Sequence, residues 1–104
     1  MFFLLFYPHA SIADTFQSSE FLTWSQESKE FYIRTSVGMA GLIAGQNDRA
    51  HADCIDDWYY DDQAQSNAFI LETMETHSEF HPRGVILAVL EAQCGEFDYI
   101  NGQT

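Results

Sequence analysis

Three groups of side chains in this 104-residue chain have types that can do chemistry. Cys54 and Cys94 are its only two cysteines. Neither is half of a C-x-x-C pair, so their spacing is not that of a metal-ligand set. They read as a disulfide in an oxidising compartment, as buried thiols, or as a nucleophile if a histidine base lies beside one of them. An even count favours the disulfide, which at this loop length contributes about 4 kcal/mol on the chain-entropy model. His77 and His81 are one helical turn apart with Glu79 between them, the arrangement of half a zinc site. Ser78 stands where the zincin pattern needs glutamate, and no third ligand is identifiable. Capping or core packing is the expected role of both imidazoles. Asp53, Asp56, Asp57, Asp61 and Asp62 gather carboxylates around Trp58, Tyr59 and Tyr60. A calcium loop of the EF-hand type requires acids at alternate positions and a glycine at the sixth. No glycine occurs between Gly45 and Gly84. The expectation is a solvated acidic face suited to a basic partner, with Asp56, Asp57, Trp58 and Tyr59 as the candidate contacts.

Other chemistry is sparse. Glu27 with Glu30 and Glu72 with Glu75 are carboxylate pairs at ordinary exposed helical spacing. No G-x-S-x-G elbow, phosphate loop or glycine-rich nucleotide motif is present. The residues therefore predict no enzyme, no catalytic group, no cofactor and no metal site. Sixteen carboxylates face Lys29, Arg34, Arg49 and Arg83, for a net charge of −12. Such a chain has no basic stripe to displace counterions from nucleic acid, and anionic lipid repels it. A basic protein partner is permitted, and the field would speed its capture.

The N-terminus speaks to the compartment. Met1 to Tyr7 is a wholly apolar run closed by Pro8, and Ser11 and Ala13 place small side chains at the −3 and −1 positions of an export cleavage site, with Asp14 next. Residues 1–13 are read as the remnant of a signal peptide, short and without the usual basic start, and 14–104 as a single helical domain, periplasmic or secreted. No later run approaches the roughly 20 apolar residues of a membrane span.

The elements that must position these groups read as helices. Phe21, Trp24, Ser28, Phe31, Thr35, Met39 and Leu42 recur at three- and four-residue steps, which predicts a helix over 19–44 with that stripe turned inward. Thr15 to Ser19 offers N-caps without a capping box at Ser19, and Gly45 serves as the C′ stop before turn formers. Gly38 and Gly41, costly inside a helix, predict close approach of another helix. A short helix is expected over 49–55, and Asp56 or Asp61 is a candidate cap for the next. That next helix is expected over 62–81, with Phe69, Ile70, Thr73, Met74, His77 and Phe80 inward. Pro82 breaks it and suits the first turn of a last helix, whose face is Val85, Ile86, Val89, Leu90 and Cys94 and whose end is Gly95. Phe97 and Tyr99 are expected to fold back on the core, and 101–104 to fray. The fold class is all-α: a small bundle of three to four helices stapled by one disulfide.

This order of features resembles the Tai-type immunity proteins, small exported helical proteins that protect bacteria from peptidoglycan amidases delivered by type VI secretion. Phe31-Tyr32-Ile33 with Gly38, Cys54-Ile55, His81-Pro82 and Cys94 look like that family's successive elements, over about two thirds of residues 14–104. The chain departs from the pattern where Asp56 replaces a proline, where Gly95 follows a cysteine that the family precedes with proline, and in lacking a further cysteine pair. The resemblance implies an interaction protein that occludes a secreted cell-wall enzyme. Two other readings compete with it. One is a periplasmic acid-stress chaperone similar to the HdeA type, its acids neutralised at low pH and its aromatics exposed. The other is a structural or ligand-binding module. Neither choice fixes the oligomeric state, and a homodimer remains open.

Overall fold

Each long helix of this chain begins where a side-chain acceptor meets the orphan amides of a first turn. The computed structural model describes residues 15–97. Its helices are α1 (Ser18–Phe21), α2 (Gln26–Asn47), α3 (Arg49–Asp61), α4 (Gln63–Thr76) and α5 (Pro82–Cys94). No strand occurs among the described residues. Ser25 Oγ accepts from Ser28 N at 3.1 Å to start α2. Asp48 Oδ1 accepts from Ala50 N at 3.0 Å to start α3. Asp62 Oδ1 accepts from Gln65 N at 3.2 Å to start α4. His81 Nδ1 accepts from Arg83 N at 3.1 Å to start α5, with Pro82 at the first position, where its missing donor costs nothing. Asp48 and Asp62 are each the single non-helical residue between two helices.

The fold is the expected all-α bundle, built from four long helices and one short one. Several boundaries differ from the sequence reading. The stretch 19–44 is not one helix: α1 ends at Phe21, and α2 begins after Ser25. A capping box that the sequence reading did not find closes at α1 between Gln17 and Glu20, whose Oε1 accepts from Gln17 N at 3.2 Å. Gly45 lies inside α2, which runs on to Asn47 because Asp48, extended at φ −154° and ψ 104°, makes the break. The expected short helix continues past Ile55 to Asp61, and the cap of α4 is Asp62 rather than Asp56 or Asp61. α4 stops at Thr76, five residues earlier than expected.

The larger correction concerns which face of α2 is buried. Ile33, Val37, Ala40, Gly41 and Ala44 turn inward. Phe31, Met39 and Leu42, expected inside, are exposed, as are Ser28 and Thr35, while Trp24, ahead of the helix, is 39% exposed. The reason is the approach of α3. A Cβ at Gly41 would sit 3.3 Å from Asp56 Oδ1, and one at Gly45 would sit 3.3 Å from Ala52 Cβ. Only small residues allow helices so close, so the bulky side chains occupy the other face. Gly38, by contrast, is open, with nothing within 4 Å of a Cβ built there. In α4, Ile70 and Met74 are buried, Thr73 is half-buried, and Phe69, His77 and Phe80 are exposed.

The core joins Phe21, Ile33, Val37, Ile55, Tyr59, Ile70, Met74 and Leu90, all fully buried. The α5 face forms as read, with Val85, Ile86, Val89 and Leu90 inside, and Gly95 ends the helix at φ 101°, a conformation that disfavours any residue with a Cβ. Phe97 does return to the core. Tyr99, the proposed signal segment and 101–104 lie outside the described residues. The buried residues Ser18, Ser66 and Asn67 are matched, whereas the buried Ser36 Oγ has no hydrogen-bond partner among the described residues. Tyr59 OH donates to Asn67 Oδ1 at 2.7 Å, and Ser66 Oγ donates to Trp58 O at 3.1 Å. Ser18 donates to Phe80 O from both its N and its Oγ, each at 2.8 Å, which fastens α1 to the turn before α5.

Cys54 and Cys94 form a disulfide with Cα atoms 5.8 Å apart. It ties the middle of α3 to the last residue of α5. Removing it restores loop entropy to the unfolded chain. The double variant C54S/C94S is expected to lose roughly 3–4 kcal/mol and to melt roughly 10–25 °C lower, with its helical circular-dichroism spectrum retained below the transition. An unchanged melting temperature would show that the cross-link carries no stability.

Two tyrosines give the fold an alkaline limit. Burial raises the Tyr59 hydroxyl above the ordinary value of 10.0, with Tyr60 adding to it and the Gln63 and Asn67 hydrogen bonds and Arg34 opposing. Burial also raises Tyr32, against the pull of Arg83. Above pH 10.0 the unfolded chain releases these protons while the folded chain holds them, so stability is complete below that value and falls as pH rises through it. Urea midpoints measured from pH 8 to about pH 11 should be flat and then decline, and Tyr59→Phe should soften the decline.

Candidate functional site

A groove of about 580 Å³ runs between α4 and α5. One wall comes from α4 and its following turn, through Phe69, Thr73, His77 and Phe80. The floor and far wall come from α5. There the sequence places Gly84, Ala88 and Ala92 four residues apart, so three successive turns of one helix face carry at most a methyl group. That ledge is what makes the groove: α5 buries Ile86 and Leu90 toward the core, and beside them offers almost no side chain to fill the space next to α4. Val85 and Val89 close the bottom. Phe69 and Phe80 are 44% and 54% exposed, large apolar side chains left in water at the mouth.

No lysine, arginine, aspartate or glutamate lines the groove itself. Glu72 follows Phe69 by three residues on α4, and Glu91 follows Ala88 by three residues on α5, so each carboxylate lies one turn along its helix from a groove-lining residue. Beyond Phe69 and Gln93 the groove adjoins a second cavity of about 340 Å³, lined by Trp58, Asp61, Asp62, Gln65 and Ser66. The Trp58 ring meets Phe69 edge-on at 6.3 Å. Arg83, the one cation on α5, stands over the Tyr32 ring at 5.0 Å on the α2 side.

The residues singled out from the sequence are distributed unevenly about this site. His77 and His81 both stand at one end of the groove. His81 is engaged as the α5 cap and meets Phe16 edge-on at 5.4 Å, so the imidazole serves the start of the following helix and not the end of the preceding one. His77 is the C-cap of α4, its ring 6.0 Å from that of Phe80. Among the described residues, no group of three or more His, Cys, Asp or Glu side chains is placed to hold a metal ion. Of the candidate partner contacts, Tyr59 is wholly buried and hydrogen-bonded to Asn67, so it offers no surface. Asp56 and Asp57 are exposed, with Asp56 turned toward Gly41 of α2. Trp58 is half-buried and continues the apolar line of the groove. Asp53 and Asp61 are exposed on α3, and Asp62 is spent as a cap. Glu27, Glu72 and Glu75 are exposed, and Glu30 is half-buried.

The groove itself was missed by sequence reasoning, which assigned Phe69, His77 and Phe80 to the core. The signal was present in the Gly84, Ala88 and Ala92 ladder, a stripe too small to bury Phe69 and Phe80 against. Compared with protein families, characterised proteins and solved structures, the chain shows no significant match to any of them.

Proposed function

We propose that this chain is an exported helical protein-binding module that receives an apolar helix or loop, flanked by lysine or arginine, in the α4–α5 groove. The observation that carries this reading is the combination of an apolar floor, two exposed phenylalanines and a rim whose full charges are all negative. Apolar burial supplies the affinity of such a contact, and the rim supplies orientation and on-rate. The disulfide is compatible with an oxidising compartment, and no described helix is long and apolar enough to cross a membrane. The resemblance to Tai-type immunity proteins suggests the partner class, a secreted cell-wall amidase occluded by binding. In this reading the chain is an inhibitor and not an enzyme. The competing reading, an acid-stress chaperone of the HdeA type, draws on the same exposed aromatics. A protein that remains folded and fails to suppress client aggregation at about pH 2–3 excludes it.

The groove reading is tested by calorimetry on the oxidised protein with two synthetic amphipathic helices, one of leucine and lysine, the other of leucine and glutamate. The lysine helix is expected to bind and the glutamate helix not. Added salt should weaken the complex. Ala88→Phe fills the ledge from an exposed position and should weaken it by about tenfold or more, at least 1.4 kcal/mol, with an unchanged melting curve. Equal binding of both helices, or indifference to Ala88→Phe, refutes the reading. Peptidoglycan hydrolysis by an amidase that is slowed by the protein but not by Ala88→Phe identifies the partner class.

A further inference from the structure

The recess that adjoins the Gln93 end of the α4–α5 groove has a chemistry of its own. Phe69 and Gln93 line both spaces, so the two are continuous. Trp58, Asp61 and Asp62 line the recess alone, which holds about 340 Å³. Asp61 is the last residue of α3, and Asp62 is the single residue that joins α3 to α4. Asp53, Asp57 and Asp61 follow one another at steps of four, an acidic stripe of α3 that ends at this recess. Like charges at that spacing repel, and a bound cation relieves the repulsion.

The chain supplies no cation of its own here. No lysine or arginine lines the recess. Arg34 stands over Phe31 and Arg83 over Tyr32, both on the α2 side. Lys29 Nζ lies 3.5 Å from Leu22 O. Arg49 opens α3, roughly 14 Å along the helix axis from Trp58. The indole is the ring that attracts cations most strongly, and no cation of the described residues stands over Trp58. Its one ring contact there, with Phe69, is near perpendicular at 75°, so no ring is stacked on it.

An exposed carboxylate alone gains little from a cation, because water screens both. Beside a half-buried indole the same cation has a second contact and sheds part of its water. A guanidinium group suits this pairing. It is planar and weakly hydrated, so one face lies on a ring while its N–H edge meets a carboxylate. An ammonium group is compact and holds its water more tightly.

The geometry points to an arginine pocket: the guanidinium of a partner's arginine enters the Trp58 recess, stacks on the indole and pairs with Asp61. This rests on the groove as the partner's seat, and it fixes which end of the partner carries the cation. The partner's apolar stretch covers the ledge from Gly84 to Ala92, roughly 12 Å. Its arginine follows at the Gln93 end, since the other end is lined by His77 and His81 and by no carboxylate.

Two probes test this on the oxidised protein at constant ionic strength. The first needs the recess alone. Trp24 and Trp58 are the only tryptophans, and their indole N–H resonances report separately by NMR, with Trp58→Phe assigning them. n-Butylguanidinium is expected to shift the Trp58 resonance with half-saturation at about 1–10 mM, and to leave Trp24 in place. Neutral n-butylurea should shift neither, and n-butylammonium should bind more weakly. Asp61→Asn, at an exposed position, should raise the half-saturation about threefold with an unchanged melting curve. No shift, equal shifts with n-butylurea or n-butylammonium, or indifference to Asp61→Asn overturns the pocket. The second probe is an amphipathic leucine helix with arginine or its neutral isostere citrulline at one end, made for each end. Arginine is expected to bind about tenfold tighter than citrulline at one end only, and Asp61→Asn should erase most of that difference. A helix that binds equally with either residue at both ends overturns the arginine assignment. n-Butylguanidinium that binds to a protein ignoring every helix upholds the pocket and refutes the groove reading alone.

Discussion

One residue, Asp48, separates two helices that together make up thirty-five of the described positions. A connection that short forces the chain back on itself at once, and the last turn of α2 must touch the first turn of α3. The contacts at the positions of Gly45 with Ala52 and of Gly41 with Asp56 keep a constant sum of residue numbers, the mark of an antiparallel hairpin. At these places an added Cβ would press against its neighbour at 3.3 Å, so Gly41 and Gly45 let the helices approach without displacing it. The helix propensity lost at each glycine, about 1 kcal/mol, is offset by the burial that close approach makes possible. The hairpin then delivers Ile55 and Tyr59 to the core, and it sets Cys54 where the end of α5 can reach it.

Because the hairpin spends its small residues inward, the large apolar residues of α2 have no interior left to fill. The same logic operates in α5, in mirror image. There the inward positions are branched and bulky, Val85, Ile86, Val89 and Leu90, and the small residues Gly84, Ala88 and Ala92 face the space beside α4. One helix thus acquires a raised apolar ridge and the other a sunken apolar floor. Both features follow from which side of a helix carries volume, and neither requires an unusual backbone: the only positive φ among the described residues is at Gly95, where α5 ends.

What was legible in the sequence was whatever proline, glycine or composition punctuates. Pro82 and Gly95 bracket α5, and its inward face was readable because branched residues at helical spacing had no competing apolar face. The cysteine pair was legible from its count. The faces of α2 and α4 were not, because hydrophobic periodicity is blind to volume. In α2 two apolar stripes share one helix, and the heavier one, with Phe31, Met39 and Leu42, drew the assignment although Ile33, Val37, Ala40 and Ala44 are the ones buried. The end of α3 and the cap of α4 were misplaced for a related reason. Within a run of aspartates any member can cap, and which one does depends on where the preceding helix stops. The candidate contact Tyr59 failed as a surface residue because a tyrosine among five aspartates looks exposed in sequence, whereas Asn67, eight positions on, supplies the partner that lets its hydroxyl be buried.

Charge completes the division of labour between ridge and floor. Carboxylates stand on α3, on α4, in the turn before α5 and on α5 itself, and they are absent from α2 after Glu30. At a Debye length near 8 Å in physiological salt, a surface helix senses the charges within one or two turns and little else. The floor between α4 and α5 has Glu72 and Glu91 one turn from its lining residues, and the α2 ridge has Arg34 stacked over Phe31 at 5.2 Å, with Glu27 and Glu30 beside Phe31 and Asp56 against Gly41. A protein with a net charge of −12 is held apart from its own copies over most of its surface and drawn toward cationic ones. Apolar burial alone does not distinguish the two surfaces, since both expose phenylalanine. Arg34 on the ridge, against a floor that no cation lines, does.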